Sequence, residues 1–251
     1  MSFKISQLRL IELELFSFCN RTCNFCPNHY IDRLSDNKIL DINIFKNLIQ
    51  ELKENNYKGV ISFSRYCEPF AFRDILEARI MYIRKHLPDV KLVSNTNGDY
   101  DWEGIDLDEL TVMDYDIKLS KEELGIYNRN RKPFVVRKMR LGKVNNRGGA
   151  LQIRKKFIRD FPCYEPSYFV GIDYNGSVNP CCNIRSDVQL HKNYISGTLL
   201  ENSLTEILNF SSTAEFRNKV KSCDFDNICL SCSKKAGRYT SDKPDIMNST
   251  S

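Results

Sequence analysis

Ile11-Glu12-Leu13-Glu14-Leu15 runs on into Cys19-Asn20-Arg21-Thr22-Cys23-Asn24-Phe25-Cys26, and these two stretches together decide the fold. The first alternates apolar and charged residues with period two, the mark of a strand with one face in a core. The second spaces its cysteines C-x3-C-x2-C. Three thiolates on one short loop can wrap one face of an iron–sulfur cubane and leave the fourth iron without a protein ligand. A zinc site would want four closed ligands, usually two spaced pairs, and the next cysteine, Cys67, is far off in sequence. A strand that delivers such a loop at its carboxyl end suits a β/α barrel, where chemistry sits at that end of parallel strands.

The pattern continues outward from there. Asp41 is placed to cap a helix running to about Asn55, with Ile44, Phe45, Leu48, Ile49 and Leu52 on one face. Residues 58–64 have strand character, and a second helix follows with Phe72, Ile75, Leu76, Ile80 and Ile83 on its buried stripe. Further strands read at 90–94, 110–119 and 134–139, with Ser120 and Glu123 as a capping-box pair for a short helix between the last two. Such alternation favours parallel βα units, too few for a closed eight-stranded barrel. The expected fold is α/β: a partial (β/α) barrel of about six strands over residues 1–150. Beyond it, a hairpin at 170–179 turning at Asn175-Gly176 and two short amphipathic helices within 203–220 suggest a small α+β domain over 151–239. Residues 240–251 read as a polar tail.

The chain has 251 residues, 41% hydrophobic and 27% charged, the balance of a globular protein. Its apolar runs are strand-length and its first residues do not form a signal peptide, so no membrane span is expected and a cytoplasmic location is. Ten cysteines without an export signal then read as thiolate ligands, not disulfides. Between Arg129 and Arg159 there are twelve Lys or Arg and no Asp or Glu, which leaves the rest of this +5 chain net acidic. That block suits an anionic substrate, an acidic electron donor or plain solvent; it carries no motif for reading nucleic acid.

A second cysteine set lies in the C-terminal part. Cys163 and Cys181 flank the hairpin, and Cys229 and Cys232 form a C-x2-C pair. Four thiolates complete a second, closed [4Fe–4S] shell, with zinc as the competing occupant and Cys223 as a competing ligand.

The triplet, with Phe25 just before its last cysteine, resembles the signature loop of the radical S-adenosylmethionine (SAM) superfamily. Tyr66-Cys67-Glu68-Pro69 resembles the Gly-Gly-Glu-Pro segment of that family, with Cys67 where glycine is usual. The resemblance implies that Cys19, Cys23 and Cys26 hold a [4Fe–4S] cluster whose open iron takes SAM, which is cleaved to a 5′-deoxyadenosyl radical. It implies further that Glu68 binds the amino group of SAM, that Asn95 contacts its ribose, and that Phe25 and Asn97 also line the cofactor; Asn97-Gly98 equally reads as a simple turn. The region of Cys163, Cys181, Cys229 and Cys232 is similar to the auxiliary-cluster part of the SPASM and Twitch subgroup. Asn28, Glu68-Pro69, Thr96-Asn97-Gly98-Asp99 and Asn146-Arg147-Gly148-Gly149 extend the likeness to the radical SAM cyclitol dehydrogenases of aminoglycoside biosynthesis. This implies oxidation of a hydroxyl on a small polar, cyclitol or sugar-like substrate, with Arg147 touching that substrate and the second electron passing to the auxiliary cluster. A flavodoxin or ferredoxin would reduce the first cluster.

Three residues stand beside that reading. Glu12 and Glu14 should face the barrel interior, either toward substrate or paired with a buried Arg or Lys. Cys182 is a thiol beside a ligand cysteine and could return a hydrogen atom to a substrate radical, making the chain an epimerase; a small buried hydrophobe is its plain alternative. Peptide modification is disfavoured, because no leader-binding segment precedes the first strand in this sequence. The remaining rival is a non-enzymatic iron–sulfur or zinc module.

Overall fold

The computed structural model describes residues 2–116, 134–137, 145–152 and 157–232. Ser120, Glu123 and most of the basic stretch 129–159 lie outside them. Strand β1 (Leu10–Leu13) pairs in parallel with β2 (Val60–Ser62), and β3 (Lys91–Thr96), β4 (Glu109–Met113) and β5 (Phe134–Arg137) follow outward, all parallel. On its other side β1 pairs in parallel with β6 (Phe169–Ile172), which turns back into antiparallel β7 (Ser177–Asn179) and the short β8 (Gly197–Thr198). The described strands thus make one sheet ordered β5-β4-β3-β2-β1-β6-β7-β8. The expected partial barrel is the fold. The expected hairpin is present too, but it lies against β1 and continues the barrel sheet beyond residue 150.

The period-two pattern of β1 explains its two faces. Ile11, Leu13 and Leu15 join the large core under the helices, whereas Leu10 packs with Val60, Val93 and Phe169 on the inner face. Glu12 stands opposite Ser62 on one side and Gly171 on the other, so the inner face above that small apolar floor is polar. Strand β2 is shorter than its sequence pattern because the ladder stops at Ser64, whose hydroxyl instead receives the N–H of Asn95. The chain is released there to carry Arg65, Tyr66 and Glu68.

Helix α1 (Ile42–Glu54) starts where Asp41 accepts the N–H groups of Asn43 and Ile44, and it buries Phe45, Leu48, Ile49 and Leu52. Helix α2 (Arg73–His86) buries Leu76, Ile80 and Ile83, with Phe72 and Ile75 packed at the edge of the same core. The two later helices are α3 (Leu204–Asn209), opened by a Ser203–Glu206 capping box, and α4 (Ser211–Lys221). Leu204, Ile207 and Leu208 enter the same core as α1, and Glu51 on α1 accepts the N–H groups of Leu204 and Thr205 at the exposed start of α3. A short α5 (Asn227–Leu230) carries Cys229. Helix α3 therefore shares the core that lies under α1 and α2.

Candidate functional site

The loop of Cys19, Cys23 and Cys26 is closed at its base. Ser17 N–H donates to Lys38 O and Leu40 N–H to Leu15 O, around an antiparallel bridge between Phe16 and Ile39. Arg33 folds back from the far limb, where its carbonyl accepts the Cys19 N–H and its guanidinium donates to Ser17 O and Glu14. Arg21 pins the near limb across the barrel mouth, with its guanidinium on Asp99 after β3 (2.6 Å) and Asp116 after β4 (2.7 Å). The three cysteines are half-buried and within electrostatic reach of one another. Burial first, with the neighbouring Cys26 and Cys23 and Glu68 adding to it, pushes the Cys19 thiol up to about 11. Soft donors crowded on one loop, costly to ionise without a cation, fit an iron–sulfur cluster, whose iron would displace the protons. Phe25 packs on Tyr115 after β4, ring centroids 5.3 Å apart.

Glu68 is almost completely buried. Its Oε1 accepts the Thr96 hydroxyl (2.6 Å) and the Phe70 N–H (3.1 Å), and its Oε2 accepts the Asn97 N–H (2.8 Å). That leaves one lone pair on Oε2 for a ligand. Burial raises its pKa against the pull of these three donors. Asn97 spends its amide on Asn20 of the cluster loop (2.8 Å). Asn95 differs: its side chain is exposed at the end of β3 and makes no hydrogen bond among the described residues.

In the C-terminal part, burial first, with the ionisable neighbours Cys163 and Cys232 adding to it, pushes the Cys229 thiol up to about 12. The Cys163 N–H is strapped to Val220 at the end of α4, and the Cys232 N–H to Cys229. Asn183 joins Cys181 to this group, since its backbone N–H donates to Cys181 Sγ (3.3 Å) and its amide to Cys232 Sγ (3.6 Å). Cys223 is exposed, at φ +65. Among the described residues no three His, Cys, Asp or Glu side chains close tightly enough around a lone metal ion.

Arg147 sits on a tight turn in which three successive residues take positive φ: Arg147 at +50, Gly148 at +63 and Gly149 at +85. Glycine at 148 is required twice over, by that conformation and because a Cβ would lie 2.9 Å from His191 Nε2. Asn146 ties the turn to Ser231, next to Cys232, at 2.9 Å. The Arg147 guanidinium has Tyr66, Cys182, Cys26 and Glu12 as its charged or ionisable neighbours, and its buried Nε has no hydrogen-bond partner among the described residues. Cys182 packs on the apolar floor of the inner face, and its carbonyl accepts the Tyr66 hydroxyl (2.8 Å).

Residues 13–111 match the model of the radical SAM superfamily, and residues 163–233 match that of SPASM, an iron–sulfur cluster-binding domain. The chain thus carries a radical SAM domain and a SPASM domain. Its cofactors are accordingly a [4Fe–4S] cluster with SAM and auxiliary iron–sulfur. The chain is 25% identical over 223 residues to the S-adenosyl-L-methionine-dependent 2-deoxy-scyllo-inosamine dehydrogenase of Niallia circulans, an alignment covering 84% of this chain and 86% of that one. The fold is similar to BtrN crystallised with AdoMet and 2-DOIA (TM-score 0.75, 22% identity, 90% of this chain and 93% of that). It is also similar to Streptococcus suis SuiB bound to its precursor peptide SuiA (TM-score 0.55, 14% identity, 90% of this chain and 70% of that).

The structure of this radical SAM protein adds a buried ion network that no sequence pattern announced. Arg33 bridges Glu14 (2.9 Å) and Asp187 (2.5 Å), and Arg185 meets Asp187 (2.7 Å) and Asn28 Oδ1 (2.8 Å) while stacking 4.1 Å from the Tyr66 ring centroid. Arg65 meets Asp173 (2.6 Å) and Ile184 O (2.7 Å). Glu14 is thus structural: burial raises its pKa, Arg33 opposes, and Tyr66 N–H is a further donor. Burial alone would raise Asp187, but Arg185 and Arg33 overturn that and hold it low. His191 completes the link by accepting the Arg185 N–H at Nδ1 (3.1 Å) and donating from Nε2 to Gly148 O (3.0 Å). These contacts join the loop of the first cysteine set, the segment after Cys181 and the Arg147 turn.

Proposed function

We propose that this radical SAM enzyme is an oxidoreductase that oxidises a hydroxyl of a cyclitol or sugar-like substrate. The observation that supports the reading is the Arg147 guanidinium, whose ionisable neighbours include Glu12 of β1, Cys26 of the first cysteine loop and Cys182, beside Cys181. The related 2-deoxy-scyllo-inosamine dehydrogenase supports the same class of substrate.

Cys19, Cys23 and Cys26 would hold the first cluster, which with SAM would supply a 5′-deoxyadenosyl radical able to remove a carbinol hydrogen atom. The residues about it do the rest. Glu68 offers its remaining lone pair to the SAM ammonium, Asn95 its exposed amide to the ribose, and Phe25 and Asn97 shape the loop between them. Arg147 holds the substrate oxygen through charge-assisted hydrogen bonds. Glu12, on the inner face 3.7 Å from Arg65 Nη1, is the carboxylate placed to take the hydroxyl proton. Cys163, Cys181, Cys229 and Cys232 would hold an auxiliary cluster, which would supply an acceptor for the second electron. A flavodoxin or ferredoxin delivers the electron that starts the cycle.

The test is anaerobic turnover with cyclitols deuterated at each carbinol carbon. Deuterium in 5′-deoxyadenosine and a product lighter by two hydrogens are expected. A second reading rests on Cys182, whose place on the inner face lets its thiol return a hydrogen atom. Product of unchanged mass that gains deuterium from heavy water would establish epimerisation and overturn the oxidation.

A further inference from the structure

We infer that Asn183 sets the reduction potential of the auxiliary cluster, and so decides whether that cluster can accept the second electron. The inference rests on the assignment of Cys163, Cys181, Cys229 and Cys232 as the ligands of that cluster. Asn183 is buried, and it addresses two of the four ligand sulfurs, its backbone N–H to Cys181 and its side-chain amide to Cys232. Both lengths suit N–H donation to sulfur, an atom larger than oxygen.

A thiolate-ligated cluster becomes more negative when it is reduced, so N–H groups on its sulfurs favour the reduced form. Burial works the other way, since it penalises the added charge. The structure offsets that penalty locally. Arg159 is a buried cation whose guanidinium donates to Cys232 O (3.3 Å). Asn183 is the part of this arrangement that touches sulfur itself. Its position is also independent of the ligand spacing, because no cysteine motif demands an amide two residues after Cys181.

In the oxidation proposed above, one electron of the substrate C–H pair leaves with the hydrogen atom. The other must leave the resulting ketyl radical as its hydroxyl proton departs, and it reduces the auxiliary cluster by one electron. Lowering the potential of that cluster slows this last transfer without touching hydrogen abstraction.

The experiment is EPR-monitored potentiometry of the reconstituted full chain, wild type against Asn183→Asp and Asn183→Leu. Both variants keep the side-chain size and remove the amide donor. The expected result is a lower midpoint for the auxiliary signal, an unchanged midpoint for the first cluster, and several-fold more 5′-deoxyadenosine per product. An unchanged auxiliary midpoint in a variant with full iron content overturns the inference. If both variants lose auxiliary iron, the decision passes to wild-type protein carrying asparagine labelled with 15N at the side-chain amide. Pulsed EPR of its reduced auxiliary cluster should then show a 15N coupling, and its absence overturns the inference. A wild-type protein holding only about four irons, one cubane, would instead sink the four-cysteine assignment itself.

Discussion

Gly171→Ala adds one methyl group to the barrel and should destabilise it far more than its size suggests. Gly171 lies on β6 opposite Glu12, and a Cβ there would fall 2.0 Å from Arg65 Nη1 and 2.7 Å from Arg65 Cζ. No positive φ is involved, so backbone preference alone makes alanine the better strand residue by about 0.5–1 kcal/mol. Sterics reverse the sign. The guanidinium must leave, giving up Asp173 at 2.6 Å and Ile184 O at 2.7 Å, and Asp173 is left buried without its cation. Breaking one side of a buried ion pair costs about 3–5 kcal/mol. At about 2–4 °C per kcal/mol for a chain of this size, the unfolding midpoint should fall by roughly 6–20 °C. Calorimetry of the anaerobic, reconstituted protein measures this directly. The same substitution placed in an Arg65→Met background should cost little, because the group it strikes is gone. A Gly171→Ala midpoint equal to or above that of the parent would refute the reasoning.

Arg147→Gln should lower kcat/KM for the oxidised cyclitol by roughly 10–100-fold, the worth of a charge-assisted hydrogen bond, while SAM cleavage without substrate is unchanged; steady-state kinetics with 5′-deoxyadenosine counting checks both. Asn28→Ala removes the acceptor of Arg185 Nη1 and the donor to Tyr66 O, so a loss of about 1–3 kcal/mol is expected in denaturant titration. Burial first, opposed by the Gly148 hydrogen bond, holds the His191 pKa below its ordinary 6.5 in the folded chain. Between those two values the unfolded chain binds the extra proton, so stability present above pH 6.5 should fall as the pH drops below it. The facing groups Arg185, Asp187 and Asp173 persist in a His191→Asn control, which should lose that part of the pH dependence of the unfolding midpoint.

Features legible in the chain and those that were not divide along a physical line. Strand β1 and helices α1 and α2 were legible because burial repeats with the period of the element, as in Ile11, Leu13 and Leu15 or in Phe45, Leu48, Ile49 and Leu52. The triplet Cys19, Cys23 and Cys26 was legible because a cluster imposes its spacing on a single short loop. The hairpin at Asn175-Gly176 was legible as a turn, yet its place beside β1 was not, since strand order depends on which edge is free once the other strands have packed. Glu14 also kept both of its readings open in the sequence until Arg33, folding back from 19 residues away, resolved them.

The chain by itself determined the elements and the local donor sets, because periodicity, turn residues and thiolate spacing act over a few residues. Only the tertiary structure decided that Arg65, Arg185, Asp187 and His191 meet. Buried charges are tolerated only where partners from distant segments satisfy them, and no local pattern records such a partner. For the same reason the sequence named Arg147 but could not say what would hold it. The structure supplies His191, Gly148 and Asn146, which hold the turn that carries it.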